Sequence, residues 1–253
     1  MPAWPKLNQM DLSLAKTLHA PHFAVACSSC NLRDICLPFG LSKDELAAID
    51  ARLVTVRHKV TRGETLFQAG DPFNSVYAIW TGFFKTAVSS ADGREQVTGF
   101  QMAGELLGLD GIGSRSHEVD AVALEDSQVC TIAFHELEAL AMEVASLQQQ
   151  LHRVLSREIV QNHNVMLLLG SMHAEERVAA FLLNLTHRLQ TRGFSSSAIV
   201  LRMSREEIGS YLGLKLETVS RTFSRFQANG LLSVRHRQIQ ITDPVGLQQI
   251  IDA

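Results

Sequence analysis

The sequence predicts an α+β chain of three successive parts. These are an antiparallel β-barrel or jelly roll, a long helix, and a separate C-terminal domain of helices and two short strands. Three observations carry this expectation. Between residues 52 and 135, short apolar stretches alternate with turns rich in Gly, Asp and Pro. Between 136 and 170 the apolar spacing becomes helical. The charge balance then reverses: residues 1–169 carry 13 Lys+Arg against 19 Asp+Glu, and residues 170–253 carry 10 against 7. A basic C-terminal part on an acidic body points to a polyanion as its partner.

With 253 residues, 46% of them hydrophobic, the chain is long enough for one large core or two modest ones. No apolar run approaches the ~18 residues of a membrane-spanning helix. The first 27 residues lack a basic start followed by an apolar block, so no signal peptide is expected. Cytoplasmic placement follows, and there thiols stay reduced.

The first segment, 1–51, contains CSSCNLRDIC (27–36), which places three of the four cysteines within ten positions. Clustered cysteines in a reducing compartment point to metal binding or redox chemistry more than to disulfides. Cys27-x2-Cys30-x5-Cys36 offers three thiolates, and Cys130 is available as a fourth. Four soft ligands suit either zinc or an iron–sulfur cluster, and on spacing alone redox thiols also remain open.

The second part, 52–135, holds VYAIW (76–80), FFKTAV (83–88), QVTGF (96–100), EVDAVAL (118–124) and QVCTIAF (128–134), each read as a strand. In the third, 136–170, Leu151, Leu155, Ile159, Asn162, Met166 and Leu169 fall on one helical stripe. Arg153, Arg157, Glu158 and Gln161 keep the remaining surface polar, as in a helix that pairs with a second copy of itself. Asn162 inside the stripe has the character of a register-setting polar residue.

The fourth part, 171–253, carries the most specific motif, MSREEIGSYLGLKLETVSRTFSRFQANG (203–230). Ser204 and Glu207 form a Ser-x-x-Glu capping box, so a helix starts there, with Ile208, Tyr211 and Leu212 as its apolar face. Gly213 fits the tight turn between two crossing helices. A second helix starts near Leu216, turns Val219, Phe223 and Phe226 inward, and stops at Asn229-Gly230.

This is helix-turn-helix patterning, in which the start of the second helix meets base edges in duplex DNA. Glu217, Ser220 and Arg221 are the candidate base readers, with Lys215 and Arg225 flanking them. LLSVRHRQIQI (231–241) reads as a two-strand wing that brings Arg235 and Arg237 to phosphates.

A barrel, a long helix and a winged helix-turn-helix in this order resemble the CRP/FNR family of bacterial transcription regulators, from about residue 27 to about 245. LETVSRTFSRF resembles the recognition helix of the FNR branch, and CxxCx5C with a distant barrel cysteine is similar to its cluster site. The resemblance implies a [4Fe–4S] cluster on Cys27, Cys30, Cys36 and Cys130, and a homodimer through the long helix. It also implies palindromic DNA close to TTGAT-N4-ATCAA, RNA polymerase as a partner, and an oxygen-responsive control of anaerobic genes.

Two departures accompany it. Asn162 stands near a position that is acidic in FNR proteins, and Arg94 stands in SSADGRE (89–95) where an acidic residue is common in the loop that touches polymerase.

The alternative within the family is a cyclic-nucleotide sensor. Gly104-Glu105 and Arg115-Ser116 match its ribose and phosphate positions, but His117-Glu118 puts a carboxylate where a phosphate would lie. None of the ten histidines has the context of a haem ligand. No phosphate-binding loop, nucleophile elbow or HExxH motif is present, and GLDGIGSRS (108–116) lacks a strand-to-helix setting, so an enzyme is not expected.

Overall fold

In a computed structural model the described residues are 23–24, 26–53, 56–90, 93–252. The start of the N-terminal segment and part of the 89–95 loop therefore lie outside the described residues. Two antiparallel sheets face each other. One has the order β1-β2-β9-β4-β7, from Phe23–Ala24, Val56–Val60, Ser127–Ala133, Ser75–Thr81 and Leu106–Leu107. The other has the order β3-β8-β5-β6, from Thr65–Phe67, Asp120–Ala123, Phe83–Ser89 and Glu95–Met102. The jelly-roll form of the expectation holds. Val60, Ile79, Phe84, Leu107 and Val129 fill the space between the sheets, because strand alternation sends them to the inner face.

The outer face of the first sheet is covered by helix α1 (Lys43–Arg52) and helix α2 (Phe134–Glu143). α1 begins at a capping box: the Glu45 N–H donates to the Ser42 hydroxyl (3.3 Å), and the Ser42 N–H donates to the Glu45 carboxylate (2.7 Å).

The expected single helix over 136–170 is two helices. Val144 takes an extended conformation (φ −113°, ψ 94°), which separates α2 from α3 (Ala145–Ser171). Periodicity did not show the break because Leu137, Leu140 and Leu147 enter one core from both sides of it. α3 has 27 residues and is about 40 Å long.

The C-terminal domain runs α4 (Ala174–Gln190), β10 (Ala198–Val200), α5 (Arg205–Leu212), α6 (Leu216–Ala228), β11 (Leu232–Arg235), β12 (Gln238–Ile241) and α7 (Pro244–Ile251). Its sheet has three strands, β10-β12-β11, one more than the sequence announced. The Ser204–Glu207 capping box forms, and Gly213 ends α5 in the left-handed region (φ 62°). Gly209 is the closer contact: a Cβ there would lie 2.6 Å from the Leu214 carbonyl, so only glycine lets the turn fold back on α5.

The two domains share a core. Phe83, Val97, Phe100 and Met102 of the sensor belong to one apolar cluster with Phe181, Ile208, Phe223 and Phe226. Polar contacts frame it. The Ser210 hydroxyl accepts from the Val97 N–H (2.9 Å), and Lys85 bridges Glu95 (2.7 Å) and Glu207 (3.3 Å).

A second polar cross-domain contact is at Glu105. Its carboxylate receives Arg188 (2.6 Å) and Arg192 (2.6 Å), both from α4. The same arginines donate to the carbonyls of Phe100 (2.6 Å) and Ala103 (2.6 Å). All three side chains are mostly shielded from water, which strengthens charge-assisted bonds of this kind. Glu105→Gln is expected to cost about 2–3 kcal/mol by leaving two shielded guanidinium groups under-compensated. Denaturant melts of the two proteins measure this, and coincident curves would contradict it.

Candidate cysteine centre and nucleic-acid interface

Cys27 opens a 3-10 turn (Cys27–Ser29) that is tied down from α1. The Asp50 carboxylate accepts from the N–H groups of Cys27 (2.5 Å) and Ser28 (3.3 Å). A second turn follows, in which the Cys36 N–H donates to the Leu32 carbonyl (2.9 Å). Cys130 comes from β9, flanked across the sheet by Arg57 of β2 and Ala78 of β4.

The structure brings all four cysteines to the lining of one pocket, with Leu32, Leu37, Ile49, Ala78, Trp80 and Ile132. None is in a disulfide. Among the described residues no three His, Cys, Asp or Glu side chains are set to hold a single metal ion, which would need sulfurs about 2.3 Å from one point. The thiols instead border a wider apolar space.

Burial pushes the Cys27 and Cys36 thiols up to about 12. For Cys27 the neighbouring Cys36, Asp50, Cys130 and Cys30 add to that rise. Burial also raises Cys130, while a hydrogen bond and the charge of Arg57 oppose the rise. Asp50, Arg57 and Trp80 were not visible as site residues in the sequence: Trp80 lines the pocket, and Asp50 and Arg57 meet Cys27 and Cys130, only through the fold.

The cyclic-nucleotide positions do not form an open site. Glu105 is engaged by two arginines of α4. His117 is 2% exposed and stacks on Phe67 (3.7 Å between centroids), and the Phe73 N–H closes onto the Arg115 carbonyl (2.9 Å).

At the other end, α6 buries Val219, Phe223 and Phe226 and leaves Glu217, Ser220 and Arg221 exposed on its outer face, with Lys215 as its N-cap. Arg225 is exposed but pairs with Glu175 of α4, which draws it toward the scaffold. Arg235 ends β11, and Arg237 lies in the two-residue hairpin to β12, where its guanidinium donates to the Arg202 carbonyl (3.1 Å).

Along α3, Leu151 packs on the sensor core and Leu169 on the C-terminal core. Between them Leu155 is half-buried, Asn162 is exposed, and Ile159 and Met166 are 55% and 68% exposed. Val160 (53%) and Leu167 (59%) widen this face. Both were missed because each follows a residue of the chosen stripe, Ile159 and Met166, by one position.

A two-sheet sensor joined by a long helix to a winged helix-turn-helix defines a ligand- or signal-responsive DNA-binding regulator. Residues 57–144 match the cyclic nucleotide-binding domain family, and residues 176–250 match the Crp-like helix-turn-helix domain. The chain is 47% identical over 228 residues to the transcriptional regulatory protein btr of Bordetella pertussis, covering 90% of this chain and 94% of that one. It is 42% identical to the fumarate and nitrate reduction regulatory protein of Escherichia coli (strain K12), covering 90% of each. The structure of FixK2 from Bradyrhizobium japonicum superposes with a TM-score of 0.74 at 33% identity, covering 79% of this chain and 99% of that one.

The chain belongs to the CRP/FNR family of transcription regulators and is not an enzyme. No described helix is long and apolar enough to cross a membrane.

The raised thiols give a direct check. In folded, metal-free protein at pH 8, iodoacetamide should label Cys27 and Cys36 at least tenfold more slowly than in urea, where a thiol titrates near 8.5. Peptide mass spectrometry reads the rates, and equal labelling would contradict the burial of these groups.

Proposed function

We propose that this protein is an oxygen-responsive transcription regulator that acts in the cytoplasm. Cys27, Cys30, Cys36 and Cys130 hold a [4Fe–4S] cluster, and two copies pair along α3. Without oxygen, the homodimer binds palindromic DNA close to TTGAT-N4-ATCAA and controls anaerobic genes together with RNA polymerase. The observation that carries this reading is the convergence of four thiols, from two remote stretches of chain, on one apolar pocket.

The donor set is all sulfur, which fits an iron–sulfur cluster, and the apolar walls limit water at the site. Several curated relatives are regulators whose names refer to anaerobic or nitrate metabolism, among them the anaerobic regulatory protein of Pasteurella multocida.

Bound there, a cluster supplies reactivity toward oxygen that no side chain has. The protein's own groups do the rest. With the group bound, Cys27, Cys30 and Cys36 would tie the N-terminal loop to Cys130 on β9, and Asp50 holds the first turn in place. Ile35 of the same loop packs on Gly104, where an added Cβ would lie 2.8 Å from its side chain. The next residue is Glu105, which holds α4. Ile159, Val160, Met166 and Leu167 present the seam to the second copy, with Asn162 setting its register. Pairing places two α6 helices about one helical turn of DNA apart.

Anaerobically prepared protein should contain about four iron and four sulfide per chain and show a broad ~400 nm band that changes within minutes of air. Cys130→Ser should remove the band; zinc, or no metal after anaerobic reconstitution, would overturn the sensor reading.

Two substitutions separate the DNA roles. Arg221→Ala should cost ~1–3 kcal/mol and relax preference at one base pair of each half-site. Arg235→Ala should weaken all sequences alike and flatten the salt slope, as binding isotherms at several salt concentrations will read; altered sequence preference would remove it from the phosphate-contact role.

A further inference from the structure

Arg57 has a setting that the thiols alone do not explain. It lies directly across the β2–β9 pairing from Cys130. Its guanidinium carbon sits 3.6 Å over the ring of Trp80, which itself lines the cysteine pocket. Its Nε–H is buried with no hydrogen-bond acceptor, and among the described residues no carboxylate pairs with it. The half-buried guanidinium already hydrogen-bonds the Cys130 sulfur, and an unsatisfied buried N–H beside it calls for a further partner. The arginine that lines the pocket itself, Arg33, is half exposed and pairs with Asp34 (3.5 Å).

We propose that Arg57, held flat by Trp80 beside Cys130, is the counter-charge for the negative iron–sulfur centre and sets its reduction potential and its resistance to air. This rests on the cluster reading above. Four thiolates outweigh the positive charge of a [4Fe–4S] core, so the loaded pocket carries net negative charge in apolar surroundings. A fixed cation beside one ligand sulfur lowers that cost. It also favours the one-electron reduced form, which is more negative still, and disfavours oxidation of the resting form. The stacked ring matters because a guanidinium on an aromatic face keeps its edge N–H groups for other partners.

The test uses the full-length chain, reconstituted anaerobically with ferrous iron and sulfide, as wild type, Arg57→Met, Arg57→Lys and Trp80→Leu. Dithionite titration adds one electron per cluster and gives the reduction potential; the decay of the ~400 nm band in air-equilibrated buffer gives the stability. Arg57→Met should shift the potential to more negative values and speed decay severalfold. Arg57→Lys keeps the charge and should stay nearer wild type, with Trp80→Leu intermediate. Far-UV circular dichroism checks the fold, and should Arg57→Met fail to fold, the comparison of Arg57→Lys with Trp80→Leu still decides.

Wild-type and variant proteins with the same potential and the same decay rate would overturn the role of Arg57 while leaving the cluster reading intact. A wild-type protein that takes up no iron would overturn both.

Discussion

The pairing of β9 with both β2 and β4 is the constraint on which the rest of this molecule depends. Because β9 is central, Cys130 is held by ladders on either side, opposite Arg57 and Ala78. A slip of one residue in either ladder would turn Cys130 to the opposite face of the sheet and away from the N-terminal loop. The loop is held less by regular structure than by single contacts, chiefly the Asp50 carboxylate beneath the first turn. The cysteine centre thus combines one rigid member with three on a tethered segment.

The Gly104–Glu105 turn links that centre to the DNA-binding domain within one chain. Ile35, next to Cys36, rests where a side chain at position 104 would be, and Glu105 anchors α4 through two arginines. Where a cyclic-nucleotide sensor would place its ligand's ribose, this protein has used the carboxylate for its own scaffold. The domain fold is shared with nucleotide-binding relatives, and the site chemistry is different.

The parts that were legible in the sequence were those encoded locally. The capping box at Ser204, the glycine at 213 and the inward spacing of Val219, Phe223 and Phe226 each act within a few residues, and each holds in the structure. Five sensor strands, β4, β5, β6, β8 and β9, were legible for the same reason, whereas β1, β2, β3 and β7 were not singled out. Long-range matters were not. The break at Val144 lies inside a continuous apolar pattern, and β10 is only three residues long, between signals of neither period. The Glu105 contacts join residues more than 80 positions apart, and nothing near Arg57 marks it until the register with Cys130 is known. Arg225 was read as a DNA contact from its place on α6, and its pairing with Glu175 depends on how α4 crosses behind.

α3 enters the sensor core at Leu151 and the C-terminal core at Leu169. Those two points are eighteen residues apart, about 27 Å along a straight helix. The rod is therefore a lever whose far end carries the reading head. One degree of tilt at the sensor end displaces the other by about half an ångström, and about seven degrees reach the 3.4 Å step between base pairs. The shared apolar core and the Glu105 contacts limit how far such a tilt can go, so the reach of the rod is set by how firmly the two domains are packed together.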